Sequence, residues 1–275
     1  MSLFTCPICA QPLVREGSSY RCPRRHSYDI SREGYVHLLP ANRKNSANPG
    51  DDKDMIAART LFLDGGWYAP LRETLSRLAV ELTPAAPALL DAGCGEGYYT
   101  EGIFAALDNA GRSPAVAGID LSKFGLKRAA RRAPGAEFAV ASVYHLPVAD
   151  GSIDLLVDCF APLALEEYRR VLKPGGAFLY VTPAAGHLME LKTVLYENPY
   201  PNQEEAVPYE GFDYVDIVPV TAVMPIRDNR ALMALFRMTP YAWKTPREGV
   251  ERLASLEELD VTMDFRIHVF KKREG

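Results

Sequence analysis

The sequence predicts an α/β protein with a doubly wound, mostly parallel seven-stranded sheet, preceded by a small N-terminal zinc-binding domain. Four soft metal ligands lie in two close pairs within the first 26 residues, which predicts the small domain. From Ala88 onward, short apolar runs alternate with segments of helical periodicity. This alternation is typical of parallel strands joined by crossover helices.

The paired ligands are Cys6, Cys9, Cys22 and His26. Two residues separate Cys6 from Cys9, twelve separate Cys9 from Cys22, and three separate Cys22 from His26. A tetrahedral Zn²⁺ takes four thiolate or imidazole ligands, and two short knuckles supply them with little loss of chain entropy. A Cys-x-x-Cys redox motif is the alternative, but it needs a βαβ context and leaves the second pair unexplained. We therefore expect one zinc per chain.

The composition is that of a soluble globular protein. A chain of 275 residues that is 48% hydrophobic has room for one or two domains with a full core. No apolar run approaches the ~20 residues of a membrane helix, and Met1 to Ala10 has no signal-peptide pattern. Three of the five cysteines belong to the ligand set, which fits a reducing compartment. We expect a cytoplasmic protein without membrane contact.

Charge is distributed unevenly along the chain. Residues 1–44 carry seven basic and three acidic side chains, a net charge of +4, whereas the whole chain has −4. A basic module on an acidic body is expected if the module contacts a polyanion such as RNA. Arg21, Arg24 and Arg25 are the candidate RNA contacts, although such arginines could equally solvate a small domain.

Three parts of the chain differ in pattern. Residues 1–40 form the zinc module, with Tyr28–Leu39 predicted to complete it. Residues 41–83 contain a polar linker, marked by Pro49-Gly50, and two helices. Residues 84–275 form the α/β domain. The two helices are predicted at Lys53–Asp64 and Tyr68–Leu82.

Within the α/β domain, five apolar runs predict buried strands, and three segments between them predict helices. The strands are Ala88–Ala92, Ala115–Ile119, Glu137–Ala141, Ile153–Cys159 and Ala177–Thr182. The helices are Tyr99–Asp108, Lys123–Arg132 and Ala164–Leu172. Further along, helices are predicted at His187–Tyr196, Asn229–Arg237 and Pro246–Leu259. Two late strands, Phe212–Met224 and Val261–Lys271, would extend the sheet as a hairpin-like edge.

A glycine-rich loop follows the first of these strands. Asp91 precedes Gly93, Gly95 and Gly97, and glycines there let the backbone pass close to a ligand. The spacing is not Gly-x-Gly-x-x-Gly, and no phosphate-binding Lys-Ser/Thr follows. Asp120 ends the second strand, where a carboxylate can accept both hydroxyls of a ribose. Its alternative role is a helix N-cap, which the neighbouring Ser122 could fill instead.

These motifs resemble the class I, Rossmann-like S-adenosylmethionine-dependent methyltransferases over roughly residues 84–185. The matching segments are Asp91–Gly97, Asp120, Leu146–Leu155 and Arg170–Gly176. The resemblance implies that the glycine loop passes under the methionine part of S-adenosylmethionine and that Asp120 holds its ribose. It places Ser142 beside the adenine, near a position where the superfamily usually has an aspartate.

Together with the zinc module, the whole chain resembles the bacterial 23S ribosomal RNA (guanine-N1)-methyltransferases, a family that includes macrolide-resistance methylases. The further matching segments are Arg32–Val36, Met55–Arg59, Leu63–Leu71, Phe160–Pro162, Thr182-Pro183 and His187-Leu188. The resemblance implies zinc on the four ligands, a 23S rRNA hairpin as substrate and a homodimer. It also implies cofactor contacts from Tyr68, Tyr99, Thr100 and His187.

Methylation of guanine N1 requires the loss of a proton, so a base or a desolvated acceptor is needed. Asp158 after the fourth strand is the candidate catalytic residue, although it could simply cap its strand, and His187 is better explained as a cofactor contact. Phe160 could stack on the target base or belong to the core. Cys159 invites a nucleophile interpretation but is better explained as a small buried side chain.

An aromatic group of Phe236, Tyr241 and Trp243 could stack on RNA, but such a group is more often the apolar face of a helix. Two other functions remain open: a small-molecule methyltransferase with a zinc lid, and a non-catalytic zinc-dependent RNA-binding protein. The basic module argues against the first, and the intact glycine loop with Asp120 argues against the second.

Overall fold

The computed structural model describes residues 2–40, 50–204 and 208–274. They form a small three-stranded sheet and a large eight-stranded sheet. The expected linker falls largely on residues 41–49, outside the described ranges. Among the described residues, no helix combines the length and the apolar composition needed to cross a membrane.

The small sheet consists of β1 (Val14–Glu16), β2 (Ser19–Arg21) and β3 (Ser27–Asp29), all antiparallel. Gly17, with φ of +61°, makes the turn between the first two strands. The three strands are short, so they hold little core of their own, and the buried Phe4, Leu13 and Tyr20 share one apolar cluster with the large sheet.

The eighth strand of the large sheet comes from the N-terminal segment. β4 (Tyr35–His37) pairs in parallel with a strand of the α/β domain, where Val36 lies opposite Ala139. The sequence predicts instead that Tyr28–Leu39 completes the small domain and that the large sheet has seven strands. The large sheet gains this eighth strand because Val36 and Leu38 bury their side chains in the apolar cluster that they share with the large sheet.

Two helices lead into the α/β domain: α1 (Lys53–Asp64) and α2 (Ala69–Leu82). The Asp52 side chain caps α1 by accepting hydrogen bonds from two backbone amides, as expected for an N-cap aspartate. α2 starts with a proline in its first turn and buries Leu71, Leu75 and Leu78, which are the residues whose spacing predicted the helix.

The large sheet has the strand order β10-β11-β9-β8-β5-β6-β7-β4. Its central strands are parallel, and they are β5 (Ala88–Ala92), β6 (Ala115–Asp120), β7 (Glu137–Val140), β8 (Ile153–Cys159) and β9 (Leu172–Pro183). The connecting helices are α3 (Tyr98–Asn109), α4 (Lys123–Arg132) and α5 (Leu165–Val171). The seven strands predicted for this domain are all present, and β4 is the addition.

The C-terminal part forms the predicted edge. It contains α6 (Met189–Leu195), β10 (Phe212–Ile226), α7 (Asn229–Arg237), a 3₁₀ helix (Pro240–Trp243), α8 (Arg247–Ala254) and β11 (Leu259–Lys272). β11 lies antiparallel between β9 and β10. The helix predicted to reach Leu259 ends at Ala254, because β11 begins at Leu259 and pairs there with Ile226.

Candidate active site and metal centre

The four predicted metal ligands converge at one point of the zinc module. Their donor atoms all lie within 4.8 Å of one another. Cys9 Sγ and Cys22 Sγ are 3.7 Å apart, and His26 Nδ1 lies 3.4 Å from the sulfurs of both Cys6 and Cys22. Around a tetrahedral zinc with ordinary bond lengths, two sulfurs lie about 3.8 Å apart and a sulfur and a nitrogen about 3.5 Å apart. The donor set therefore fits Zn²⁺ bound through Nδ1 of His26.

The surroundings of the ligands suit a structural ion. Each knuckle closes with a residue of positive φ, Ala10 in the first and Arg25 in the second. Cys6 and Cys22 are buried, and the Tyr28 hydroxyl lies 3.0 Å from Cys6 Sγ, so it can donate a hydrogen bond to the thiolate. Such outer partners orient metal ligands. Four protein donors leave no open position for catalysis at the metal.

The three candidate RNA contacts lie at the surface beside this centre. Arg24 and Arg25 are exposed within the second knuckle, and Arg21 is exposed at the end of β2. Arg21 has one weak ion pair, with Glu16 at 3.5 Å. Their guanidinium groups are therefore accessible to a partner.

A cavity of about 830 Å³ opens at the carboxyl ends of the parallel strands. This is the expected ligand position in a doubly wound sheet. Its volume suits a nucleotide-sized cofactor together with a second reactant. Seven of the ten predicted cofactor residues line it: Tyr68, Gly93, Gly95, Tyr99, Asp120, Ser142 and His187.

The glycine loop forms the floor of the cavity, and two of its glycines have no room for a side chain. Gly93 has a φ of +83°, and a Cβ atom there would lie 2.4 Å from the Cβ of Ala161. Gly97 has a φ of +77°, and a Cβ atom would lie 2.8 Å from Ala129. Both positions thus require glycine for conformation as well as space. The close packing leaves the backbone of the loop facing the cavity.

Asp120 fixes this loop from the neighbouring strand. Its Oδ2 accepts from the Gly95 amide at 2.9 Å, and its Oδ1 accepts from the Ser122 amide at 2.6 Å. The N-cap of α4 is Ser122, whose hydroxyl accepts from Gly125 N. The carboxylate is therefore not needed as the cap, and it lines the cavity. Burial raises its pKa.

Three predicted cofactor residues lie behind the cavity wall instead of on it. Asp91 is buried at the end of β5, and its Oδ2 accepts from the Thr100 hydroxyl at 2.5 Å. Gly97 packs on Ala129. Burial raises the pKa of Asp91 to about 7. In the structure these residues shape the loop, and a direct contact with the cofactor stays a prediction for them.

His187 lies in the wall between two aromatic rings. Its ring centroid is 4.2 Å from that of Phe265 and 6.3 Å from that of Tyr68. The Asp264 amide donates to Nδ1 at 3.3 Å, so Nε2 carries the proton. Burial lowers the pKa of His187 to about 3. The neutral ring can donate a hydrogen bond, but it is too weak a base to accept a proton near neutral pH.

Asp158 does not face the cavity. It is fully buried, its Oδ2 accepts from the Tyr168 hydroxyl at 2.8 Å, and its Oδ1 accepts from Ala161 N at 2.9 Å. Burial raises its pKa to about 7. In this arrangement the carboxylate holds the loop after β8. That matches the capping alternative, and its action as a base stays an untested prediction.

The loop that Asp158 holds presents an aromatic side chain. Phe160 has a φ of +68° and leaves 47% of its surface exposed, and it lines the cavity. A bulky residue in the left-handed region is strained, and such strain persists where the surroundings enforce it.

The neighbouring Cys159 is buried, and burial raises the pKa of its thiol well above the usual value, which disfavours a nucleophilic role.

Several lining residues were not predicted from the sequence. Arg59 of α1 is a cation on the wall, next to the glycine loop, and it pairs with Asp51 at 2.5 Å. Thr182 and Tyr180 of β9 lie on the wall nearest the C-terminal hairpin, and Thr239 and Tyr241 come from the 3₁₀ segment. The Thr182-Pro183 match was a signal for Thr182, and Tyr180 lies two residues before it on the same strand. Arg59 ends the matching segment Met55–Arg59, and Tyr241 belongs to the aromatic group noted in the sequence, but neither pattern placed its residue in the cavity. No pattern marked Thr239, which reaches the cavity only through tertiary packing.

The aromatic group predicted near the C-terminus is divided. Phe236 is buried in the main core, Tyr241 lines the cavity, and Trp243 is 73% exposed. The core alternative thus holds for Phe236 and in part for Tyr241, which also packs against the main core.

The zinc module is fastened directly to the α/β domain. The two carboxylate oxygens of Glu137 accept from Leu3 N at 2.9 Å and from the Tyr20 hydroxyl at 2.6 Å. Thr5 N donates to Pro147 O at 2.8 Å. Together with the shared apolar cluster, these bonds fix the position of the metal centre relative to the cavity.

Comparisons with known proteins agree with both halves of this architecture. Residues 4–47 match the zinc-ribbon family described as RlmA, N-terminal, and residues 90–180 match the family described as Methyltransferase domain. The fold resembles the YcgJ protein from Bacillus subtilis, with TM-score 0.51 and 18% identity over 73% of this chain and 98% of that one. A putative methyltransferase from Bacillus halodurans gives TM-score 0.51 and 15% identity over 74% and 99%. The fold and the site define a class I S-adenosylmethionine-dependent methyltransferase that carries a zinc ribbon.

Curated proteins that match most of the chain identify the family within this class of methyltransferases. The putative 23S rRNA (guanine-N(1)-)-methyltransferase YxjB of Bacillus subtilis is 30% identical over 98% of both chains. The 23S rRNA (guanine(748)-N(1))-methyltransferase of Streptomyces fradiae is 35% identical over 95% of both. A putative 23S rRNA (guanine-N(1)-)-methyltransferase from Micromonospora griseorubida is 40% identical over 68% of this chain and 67% of that one. This chain therefore belongs to the 23S rRNA (guanine-N1)-methyltransferase family, as its sequence motifs predicted.

Proposed function

We propose that this protein transfers the methyl group of S-adenosylmethionine to N1 of an unpaired guanine in a hairpin loop of 23S rRNA. The observation that carries the proposal is the pairing, in one chain, of a cofactor-sized cavity at the sheet edge with a Cys₃His metal centre. The relatives that match both parts are named for this reaction.

In this proposal the cofactor occupies the floor of the cavity. The Asp120 carboxylate accepts hydrogen bonds from the ribose hydroxyls, and Ser142 lies by the adenine. Tyr68, Tyr99 and the Nε2–H of His187 surround the methionine end, and Arg59 is the cation available to its carboxylate. When bound, the cofactor supplies an electrophilic methyl group. The protein's contribution to an in-line displacement is chiefly alignment and exclusion of water.

The target guanine enters the same cavity from the side opposite the cofactor. Guanine N1 lies on the Watson–Crick edge, so the base must be unpaired or flipped out before the methyl group can reach it. Phe160, exposed on the cavity wall and held there by its loop, is the proposed stacking surface for the guanine. A hairpin loop supplies such a base at little cost.

The zinc ribbon binds the RNA around the target base. Arg21, Arg24 and Arg25 are the proposed phosphate contacts, since all three are exposed beside the metal centre. Their charge provides affinity without sequence specificity. Zinc acts structurally here, by fixing the knuckles that present the arginines.

Incubation of 23S rRNA with isotopically labelled cofactor tests the reaction. Mass spectrometry of the digested nucleosides should find the label in 1-methylguanosine, for whole RNA and for a hairpin fragment, and no label in a fully paired duplex. Label on a free small molecule with RNA untouched would favour the zinc-lid alternative. No transfer to any acceptor, with RNA binding retained, would favour the non-catalytic one.

Three further expectations accompany the proposal. We expect a homodimer, which sedimentation would detect. Action on ribosomal RNA would place the protein in the cytoplasm. A role in macrolide resistance would appear as a lower inhibitory concentration in a strain that lacks the protein.

A further inference from the structure

A partly buried chain of hydrogen-bonding groups leads away from the cavity across three neighbouring strands of the sheet. The Thr182 hydroxyl lies 2.9 Å from Nε2 of His268, and the Tyr214 hydroxyl contacts Nδ1 of the same ring. Thr182 lines the cavity, His268 is only 7% exposed, and Tyr214 lies partly exposed on β10. The groups come from three adjacent strands, β9, β11 and β10. Neither the glycine loop nor the metal centre uses them.

The proposed reaction still needs a group that accepts a proton from guanine N1. Guanine N1 carries a proton, and N1 must lose it as the new N–CH₃ bond forms. Asp158 and His187, the two candidates from the sequence, are poorly placed to accept this proton. Asp158 is fully buried outside the cavity lining, where its two oxygens accept from Ala161 N and from Tyr168. His187 receives a hydrogen bond from a backbone amide at the one nitrogen that could accept a proton.

We propose that His268 takes the proton that guanine N1 loses, and that the Thr182 hydroxyl carries it from the cavity. This inference rests on the function proposed above. As the N1 electron pair forms the bond to the methyl carbon, the bond from that carbon to sulfur breaks and its electron pair stays on sulfur. Thr182 Oγ1 accepts the N1 proton while it gives its own to Nε2. His268 becomes an imidazolium whose Nδ1–H donates to the Tyr214 oxygen.

The groups around His268 favour a neutral ring before the reaction. Burial lowers its pKa, the Arg266 guanidinium on the same strand lowers it further, and Glu204 raises it. Arg266 lies 3.5 Å from Glu204. The other neighbours are Tyr180, whose ring centroid is 6.0 Å away, and Phe270 at 6.4 Å. A neutral imidazole with Nε2 facing a hydroxyl is ready to accept a proton.

Single-turnover methyl transfer to the hairpin, measured across pH, tests this inference. Thr182→Val removes the hydroxyl at nearly constant volume, and Thr182→Ser restores it. Loss of a general base typically slows a reaction 10²- to 10⁴-fold, so we expect Thr182→Val and His268→Gln to be at least about 100-fold slower. Thr182→Ser should stay within about 3-fold of the wild type. Thr193→Val, an exposed threonine of α6 that bonds only to its own helix, is the matched control.

The pH profile separates a proton relay from a structural role. The wild-type rate should rise with pH to a plateau, with the midpoint of the rise below the ordinary histidine pKa of about 6.5, and then stay flat. In Thr182→Val and His268→Gln the plateau should disappear, and the rate should climb into the alkaline range in which guanine N1 loses its proton unaided. Cofactor affinity, measured by calorimetry, should be unchanged.

Two results would overturn the relay alone: variants with the wild-type rate and plateau, or a Thr182→Ser variant as slow as Thr182→Val. A variant that loses its fold is recognised by its circular dichroism, and Thr182→Val then decides the matter because it leaves the histidine in place. A wild-type protein that methylates an atom other than guanine N1 overturns the proposed function and the relay with it.

Discussion

Side chains of the same type have different roles in this protein, depending on the groups that they contact. Three carboxylates illustrate this: Asp120 lines the cavity while it ties the glycine loop, Asp91 bonds to Thr100 behind the loop, and Asp158 holds the loop after β8. All three lie at or near the ends of parallel strands. The sequence identifies that position for each of them, but only the structure separates the one that faces the cavity from the two that support its wall.

The metal centre gives a direct prediction at this scale. Purified protein should contain one zinc per chain, and Cys22→Ser should lose it, because three remaining ligands hold the ion far less tightly. Cys94→Ala should keep its zinc, since this cysteine belongs to the glycine loop and not to the ligand set. Elemental analysis after washing with a chelator measures both. Wild-type protein free of zinc would contradict the assignment.

The Asp120 carboxylate gives a second prediction. Hydrogen bonds to a charged group contribute about 1.5–3 kcal/mol, so Asp120→Ala should weaken S-adenosylmethionine binding roughly 10- to 150-fold. Asp108→Ala, at an exposed position near the end of α3, is the control and should bind normally. Calorimetry measures both affinities. Equal affinities would mean that Asp120 serves the loop alone.

Asp91 predicts a specific dependence of stability on pH. Burial raises its pKa from 3.8 to about 7, so between these values the folded state binds more protons than the unfolded chain. The contribution of this carboxyl to the free energy of unfolding therefore falls as pH rises through that window, by at most about 1.4 kcal/mol per unit. About one unit above pH 7 the contribution becomes constant, since both states are then ionised.

Asp91→Asn removes the titration and keeps an oxygen for Thr100. The stability of this variant relative to the wild type should increase from pH 5 to pH 7 and then level off. Urea denaturation at four pH values measures this difference. A difference that does not change with pH would show that Asp91 is ionised in the folded protein throughout the range.

At the scale of elements, periodicity predicts most of the fold, and tertiary pairing accounts for the rest. α1, β5, α4, β8 and α7 have the predicted bounds, because their apolar spacing and their end signals are local. The sequence pattern does not predict that β4 pairs with the large sheet, since a three-residue strand carries no information about its partner. The helix predicted across residues 255–259 stops early for the same reason, as pairing with β10 starts β11 at Leu259.

The zinc ribbon is the element that we expect to bind RNA phosphates. Replacing Arg21, Arg24 and Arg25 by alanine should weaken RNA binding and reduce its salt dependence, by about 0.7–0.9 in log–log slope for each phosphate that is no longer neutralised. Cofactor affinity should not change, because the ribbon lies outside the cavity lining. Fluorescence anisotropy at several salt concentrations measures the slope.

Three exposed arginines on other elements provide the control. Alanine at Arg77, Arg230 and Arg247 removes the same charge from α2, α7 and α8, and it should leave the salt slope nearly unchanged. If the ribbon variant also keeps its slope, the ribbon does not bind RNA phosphates, and the zinc-lid alternative gains support.

At the scale of the whole molecule, the zinc ribbon and the α/β domain behave as one body. β4 extends the large sheet, and Glu137 accepts hydrogen bonds from Leu3 near the N-terminus and from Tyr20 of β2 in the ribbon. RNA held by the ribbon would therefore meet the cavity in a fixed orientation. The sequence predicts both parts and their order. It could not predict this attachment, which depends on contacts between residues more than a hundred positions apart.

The central claim is methylation of guanine N1 in 23S rRNA, and primer extension tests it most directly. A methyl group on N1 blocks the Watson–Crick edge and stops reverse transcriptase one nucleotide before the modified base. RNA from a strain lacking this protein should give no stop in the hairpin loop, and treatment with purified protein and S-adenosylmethionine should create one. Read-through of the treated RNA at every loop guanine would contradict the account.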